Sequence, residues 1–278
     1  MKTLYFDCFS GAAGDMILAA LLDAGASEEA VRAALDALPL EGFSLEVRTV
    51  TRASLRATKA DVVVTGGHEH RGPREIAALL RAAALPEGAR DRALRTFDLL
   101  TAAEAKVHGI PAEDVHFHEV GAVDAIVDVV GCAAALESLA PDRVVASPIA
   151  TGRGIVPSAH GPLPVPAPAV VELLRGVPVE ERGTDELVTP TGAAVLREAV
   201  DEFGPMPPMT VSAAGYGAGT RDSALPNVVR ALVGEGASET PRTTLLQVEA
   251  NVDDMSPELL PHALESLLAA GAVDAWVT

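Results

Sequence analysis

Leu4-Tyr5-Phe6-Asp7-Cys8-Phe9-Ser10-Gly11-Ala12-Ala13-Gly14-Asp15-Met16 reads as a strand feeding through a small-residue turn into a helix. Leu4 to Phe6 is a short apolar run of the buried-strand kind. The helix runs from about Met16 to Asp23 and stops at Gly25, a left-handed cap. Backbone amides at such a helix start form an anion seat, and small side chains let a phosphate approach closely. Ser10, Gly11, Gly14 and Asp15 are therefore candidate substrate-binding residues, although a plain tight turn would use the same glycines. The stretch lacks the Lys-Ser/Thr ending of a nucleotide P-loop and the three-glycine dinucleotide fingerprint. Asp7 and Asp15 flank the turn, which suits a metal-bridged phosphate better than a bare anion.

Outward from this junction, Ser27 is an N-cap with Glu28 and Glu29 in the following first turn. Phe43, Leu45 and Val47 alternate with Ser44, Glu46 and Arg48, the period of a half-buried strand, and 57–65 reads as its antiparallel partner. Helical patterns cover about 73–84, 87–108 and 119–139, and 143–149 reads as a strand. Prolines at 162, 164, 166 and 168 predict an extended connection. Thr191 is read as the N-cap of a helix reaching about Glu202, and 209–235 as two strands. A linker at 235–242 precedes a strand at 244–252, a helix capped by Ser256 with Pro257 at its first position, and a strand at 272–277. The expected fold is α+β (mixed α/β). A large N-terminal mixed-sheet domain at 1–240 is followed by a partial ferredoxin-like βαβ segment at 243–278. Two strands and a helix bury too little surface to stand alone, and the edge at Ala272–Val277 offers a route to a homo-oligomer.

Of the 278 residues, 21 are Lys or Arg and 39 Asp or Glu, a formal charge of −18 that argues against nucleic-acid or anionic-membrane partners. No apolar run approaches the roughly 18 residues of a membrane span. With aromatics at 3%, the core must be built from Ala, Val and Leu. Cys8 and Cys132 form neither a disulfide framework nor a ligand pair, which fits a cytoplasmic protein, and Cys8 reads as a small buried hydrophobe.

The sharpest chemical feature is His116-Phe117-His118-Glu119-Val120-Gly121-Ala122-Val123-Asp124, continuing to Asp128 and Gly131. In extended backbone, His116 and His118 point to one side, a chelating spacing. On the helix, Gly121, Asp124, Asp128 and Gly131 share one stripe among Val, Ile and Ala. Two carboxylates at i,i+4 on a buried helix repel and are costly to desolvate, and a metal or an arginine would offset both effects. His68-Glu69-His70 is a second two-apart pair in a glycine-flanked loop, able to collect nickel or zinc or to be a solvated loop tip. The candidate metal ligands are thus His68, His70, His116, His118, Asp124 and Asp128. Thr189 and Thr191 offer hydroxyls at a helix start, Arg221 can fork a phosphate, and Asp253 and Asp254 can hold a metal–nucleotide at a strand end.

Seven segments in order (5–16, 68–71, 116–124, Asp128, 189–193, 215–222 and 251–255) together resemble the LarC family, the nickel-insertion proteins of nickel-pincer nucleotide cofactor biosynthesis. The resemblance covers essentially the whole chain. It implies a nickel chelatase of the cyclometallase type, a lyase. Such a protein inserts Ni2+ into pyridinium-3,5-bisthiocarboxylic acid mononucleotide, forming nickel–sulfur and nickel–carbon bonds with CTP and Mn2+ or Mg2+. It further implies that His68 and His70 belong to a nickel-handling loop. It places the CTP site in a C-terminal domain that family members continue beyond this chain's Thr278, so the C-terminal half of the family protein is an expected partner. The alternative expectation is a non-catalytic nickel-binding and delivery module of the same pathway.

Overall fold

The structure is a computed structural model that describes residues 1–65, 70–117, 120–158, 161–222, 225–236 and 246–277. It divides into two compact units, Met1–Ser238 and Glu239–Thr278. In the first, β1 (Lys2–Asp7) leads through the small-residue turn into α1 (Gly14–Asp23) and α2 (Glu28–Asp36). The hairpin β2 (Phe43–Arg52) and β3 (Leu55–Val64) precedes α3 (Pro73–Ala82), α4 (Glu87–His108) and α5 (Val123–Leu139). Then come β4 (Arg143–Ala146), β5 (Ile149–Thr151), β6 (Gly154–Ser158), β7 (Gly161–Val165), α6 (Pro168–Leu173), β8 (Val179–Glu181) and α7 (Pro190–Ala199). The unit closes with β9 (Glu202–Phe203), β10 (Met209–Ala218) and β11 (Val228–Gly236).

Seven strands form one mixed sheet in the order β2-β3-β10-β11-β1-β4-β9, so the two late strands insert between the first hairpin and β1. β1 runs parallel to β4 and antiparallel to β11. Alternation puts Leu4 and Phe6 in the main core and Tyr5 in a small cluster with Val145 and Leu232. The covered face receives α1, whose Met16 to Leu21 are all buried. Two glycines on β10 make this possible: a Cβ on Gly217 would lie 1.8 Å from the Met16 carbonyl oxygen, and one on Gly215 2.2 Å from that of Ala20. The spaced glycines of 215–219 thus serve close helix–strand packing. At the far end of α1, the Asp23 carboxylate accepts from the Thr58 hydroxyl at 2.8 Å and the Tyr216 amide at 2.9 Å, joining β3 to β10. With few aromatics, one ring pair, Phe97 and Phe117, packs with centroids 6.3 Å apart.

Local expectations meet the structure unevenly. The Ser27 cap accepts from the Ala30 amide at 3.1 Å, and Gly25 is left-handed at φ +106°. The cap of α7 is Thr189 rather than Thr191, because Pro190 takes the first helical position and Thr189 Oγ1 accepts from the Gly192 amide at 3.1 Å. The strand expected at 143–149 breaks after Ala146, since Pro148 cannot donate to a ladder. The expected proline connection is instead the second arm of a β6–β7 hairpin. Ile155 faces Pro164 and Pro157 faces Pro162, so the prolines sit at the positions that need no ladder donor. α5 starts at Val123, four residues after the expected Glu119, which lies outside the described residues.

In the second unit, α8 (Leu260–Ala269) follows a single 3-10 turn at Pro257–Leu259. The strands expected at 244–252 and 272–277 are not formed over 246–252 or 272–277, so the βαβ segment and its strand edge are absent there. A strand exists through its ladder partners, and a lone parallel pair is too small to persist.

Candidate functional site

The polar stripe read on α5 faces α1. A Cβ on Gly131 would lie 2.9 Å from Leu18 Cδ2, and one on Gly14 would lie 2.7 Å from Asp128 Oδ2. The two helices therefore pack through glycines, and Asp128 is pressed under the first turn of α1. Beyond it a cavity of about 350 Å³ opens, within the range of small-ligand sites. α1 contributes Gly14 and Asp15, β3 contributes Lys59 and Asp61, α5 contributes Asp124 and Asp128, and the start of α7 contributes Thr191 and its N-cap Thr189. Glu186 and Thr220 complete its polar wall. The N-termini of α1, α5 and α7 all reach this cavity, concentrating unsatisfied amides and positive dipole ends. α1 and α7 are tied together directly: Ala12 donates to the Leu187 oxygen at 2.9 Å and Thr189 donates to the Ala12 oxygen at 3.1 Å.

Charge is arranged in pairs around one lysine. Lys59, 2% exposed, contacts Asp15 Oδ2 and lies 3.2 Å from Asp61 Oδ1. Burial pushes the Asp61 carboxyl up, but Lys59 and Arg48 outweigh it and hold it below its ordinary range. Asp128 goes the other way. Burial, then the neighbouring Asp15 and Asp124 carboxylates, raise it well above the usual carboxylate range, against the weaker pull of Lys59 and the Asp15 amide. Its Oδ1 is sealed from solvent without a hydrogen-bond partner among the described residues. Cys132, deep beneath, donates to the Gly14 oxygen at 3.5 Å, and burial pushes its thiol and that of Cys8 upward.

Two histidine-bearing loops meet at the rim. Arg71, next to His70, donates its amide to the Gly121 oxygen at 3.0 Å, and a Cβ on Gly121 would lie 2.5 Å from the Arg71 oxygen. Residues 71 and 121 are thereby held side by side, and Val120, next to Gly121, lines the cavity with Asp124. His70 and His116 are exposed, while His68, His118 and Glu119 lie outside the described residues. Among the described residues, no three His, Cys, Asp or Glu side chains converge closely enough to hold a metal ion.

Of the expected substrate residues, Gly14, Asp15, Thr189 and Thr191 line the cavity. Ser10 is buried and Gly11, at φ +90°, is pressed against the Leu187 oxygen, so both build the turn behind it. Arg221 is exposed, one residue past the cavity-lining Thr220. Asp253 and Asp254 are exposed in the second unit. Lys59 and Asp61 were missed by sequence reasoning. The signal available was Ala57-Thr58-Lys59-Ala60, a lysine among small residues on a strand, where a surface lysine commonly has bulkier neighbours to lie along.

These features define a class first: a mixed-sheet α+β protein with a charged cleft at converging helix N-termini and a histidine-bearing rim. The nickel insertion protein family matches residues 4–278, and the chain belongs to that family. A relative from Geobacter metallireducens, whose name also refers to nickel insertion, is 50% identical over 279 residues, covering 99% of this chain and 72% of its own. The pyridinium-3,5-bisthiocarboxylic acid mononucleotide nickel insertion protein of Desulfitobacterium hafniense is 44% identical over 284 residues, covering 100% and 71%. The protein of the same name from Geobacillus kaustophilus is 43% identical over 299 residues, covering 100% and 73%. No solved structure matches the chain. Among the described residues, no helix is long and apolar enough to cross a membrane.

Proposed function

We propose that the chain inserts nickel into pyridinium-3,5-bisthiocarboxylic acid mononucleotide, taking the metal from the paired histidine loops and the mononucleotide in the adjacent cleft. The observation that supports this reading is the Arg71–Gly121 backbone bond, which joins the residue after His70 to the residue after the cavity-lining Val120. Borderline cations such as Ni2+ suit imidazole ligands at the rim, and Asp124 and Asp128 offer carboxylates on the cleft side. Helix N-termini suit the anionic ends of the nucleotide. Two thiocarboxylate sulfurs would bind the metal, and the pyridinium carbon would exchange its proton for nickel, so a base must receive that proton. His118, Glu119 and Asp124 are the candidates. Coupling to CTP with Mn2+ or Mg2+ is proposed to involve Asp253, Asp254 and the C-terminal part found in the longer relatives.

The test is an insertion assay read by mass spectrometry, with nickel, CTP, manganese and the bis-thiocarboxylate mononucleotide, with and without a separately supplied C-terminal segment from a relative. Nickelated product in either tube supports the reading, and its loss in a His70→Ala/His116→Ala variant supports the histidine route. Stoichiometric nickel binding without product in either tube overturns insertion in favour of delivery.

A further inference from the structure

The cleft holds a buried cation with a donor to spare. An ammonium has three N–H donors. Asp15 and Asp61 occupy two of those of Lys59, and no third partner is present among the described residues. A lysine kept only for solubility extends its ammonium to water, whereas this one is turned into the cavity wall. A second observation comes from α7. Thr191, 8% exposed, lines the same cavity, and its hydroxyl has no hydrogen-bond partner among the described residues. Thr189 by contrast spends its own oxygen on the cap. As the second residue of α7, Thr191 also has a backbone N–H with no intrahelical acceptor. Gly192 lets this helix start press on the start of α1, since a Cβ there would lie 2.4 Å from the Ala12 oxygen. Lys59 reaches the same place through Asp15, in the first turn of α1.

We propose that Lys59 and the N-terminus of α7 form the seat of a phosphomonoester, with Lys59 and Thr191 donating to its oxygens and Asp15 and Asp61 positioning the ammonium. The acids that α5 brings to the cavity, Asp124 and Asp128, disfavour a ligand that is anionic throughout. They suit a cationic ring, so the ligand class is a mononucleotide whose base is positively charged. The inference rests on the mononucleotide reading above and adds to it the anchoring residue. It also gives a role to a lysine whose burial requires two carboxylates to compensate.

The probes are nicotinamide mononucleotide, which carries a pyridinium ring and a 5′-phosphate but no thiocarboxylates, and the corresponding riboside, titrated calorimetrically into the full chain without nickel. The mononucleotide is expected to bind at least about tenfold more tightly than the riboside, as expected of charge-assisted hydrogen bonds to phosphate. Lys59→Met should abolish that preference, Lys59→Arg should retain part of it, and Thr191→Val should weaken mononucleotide binding several-fold while leaving the riboside unchanged. Circular dichroism checks folding. Should Lys59→Met not fold, Thr191→Val and the wild-type comparison of the two ligands decide. Equal affinity for the two ligands, no mononucleotide binding by the wild-type chain, or wild-type affinity in folded Thr191→Val and Lys59→Met overturns the proposal. Phosphate-dependent binding without nickel insertion would keep the anchor and sink the insertion reading, and insertion with phosphate-independent binding would do the reverse.

Discussion

Replacing Asp128 by Asn should stabilise the fold, and the gain should grow with pH. In the unfolded chain this carboxyl titrates near the ordinary aspartate value, about 3.9. In the folded protein, burial and the Asp15 and Asp124 carboxylates raise it well above that, and its Oδ1 has no partner among the described residues. Between the two values the folded state binds more protons than the unfolded state, so stability falls as pH rises through that window. Below the unfolded value the loss is absent, and above the folded value it is fully present. The stability difference, variant minus wild type, should therefore climb with pH by at most about 1.4 kcal/mol per pH unit, the effect of one proton. Asn keeps the shape, can accept from the Asp15 amide and carries no charge to desolvate. For a unit of the size of Met1–Ser238, each kcal/mol corresponds to about 2–4 °C in Tm. Urea unfolding of both proteins at pH 5, 6, 7 and 8 measures this. A variant less stable than wild type at pH 7 and 8, or a difference that stays flat with pH, would refute the reasoning.

Gly217→Ala should lower the unfolding free energy by about 1–3 kcal/mol or more, and the urea midpoint with it, because its methyl would meet the Met16 backbone at 1.8 Å and cannot be relieved by a side-chain movement; an unchanged midpoint would show that α1 does not pack on β10 as described. Thr189→Ala should cost about 1 kcal/mol through loss of the α7 cap, measurable by the same denaturation. Both thiols should be inert to a disulfide reagent at pH 8 in the native protein and react on unfolding, since burial raises each; a fast native burst from either cysteine would contradict that.

Local signals were legible where one segment carries its own cause. The Ser27 cap, the alternation at 43–48 and the helical patterns before His108 need only nearest neighbours, and each element stands as read. The stripe of Gly121, Asp124, Asp128 and Gly131 was also visible, but not its purpose: Gly131 admits Leu18, and Gly14 admits Asp128, contacts set by a helix more than a hundred residues away in sequence. The β6–β7 hairpin was hidden because proline is locally a strand breaker, and only the register shows that 157, 162 and 164 escape the ladder. Insertion of β10 and β11 between β3 and β1 is a non-local choice that no window of residues displays. Lys59 was missed for the same reason, since its meaning comes from Asp15 on another element.

The cleft spends stability on holding opposite charges close together. Three helix N-termini alone would make an anion seat, and the acids alone would make a cation seat that Lys59 partly neutralises. Neither arrangement explains the other. Among the described residues, Asp128 keeps one sealed oxygen without a hydrogen-bond partner, while Lys59 and Thr191 retain unused donors in the same cavity. A purely structural core would replace such groups with apolar ones at no loss. Their coexistence is what a ligand carrying both signs requires: a phosphate for the donors, and a cationic ring, or a metal arriving from the histidine rim, for the acids. The local rules are broken here and obeyed in the hairpins and caps around it, which is the pattern expected where a fold gives up stability for a site.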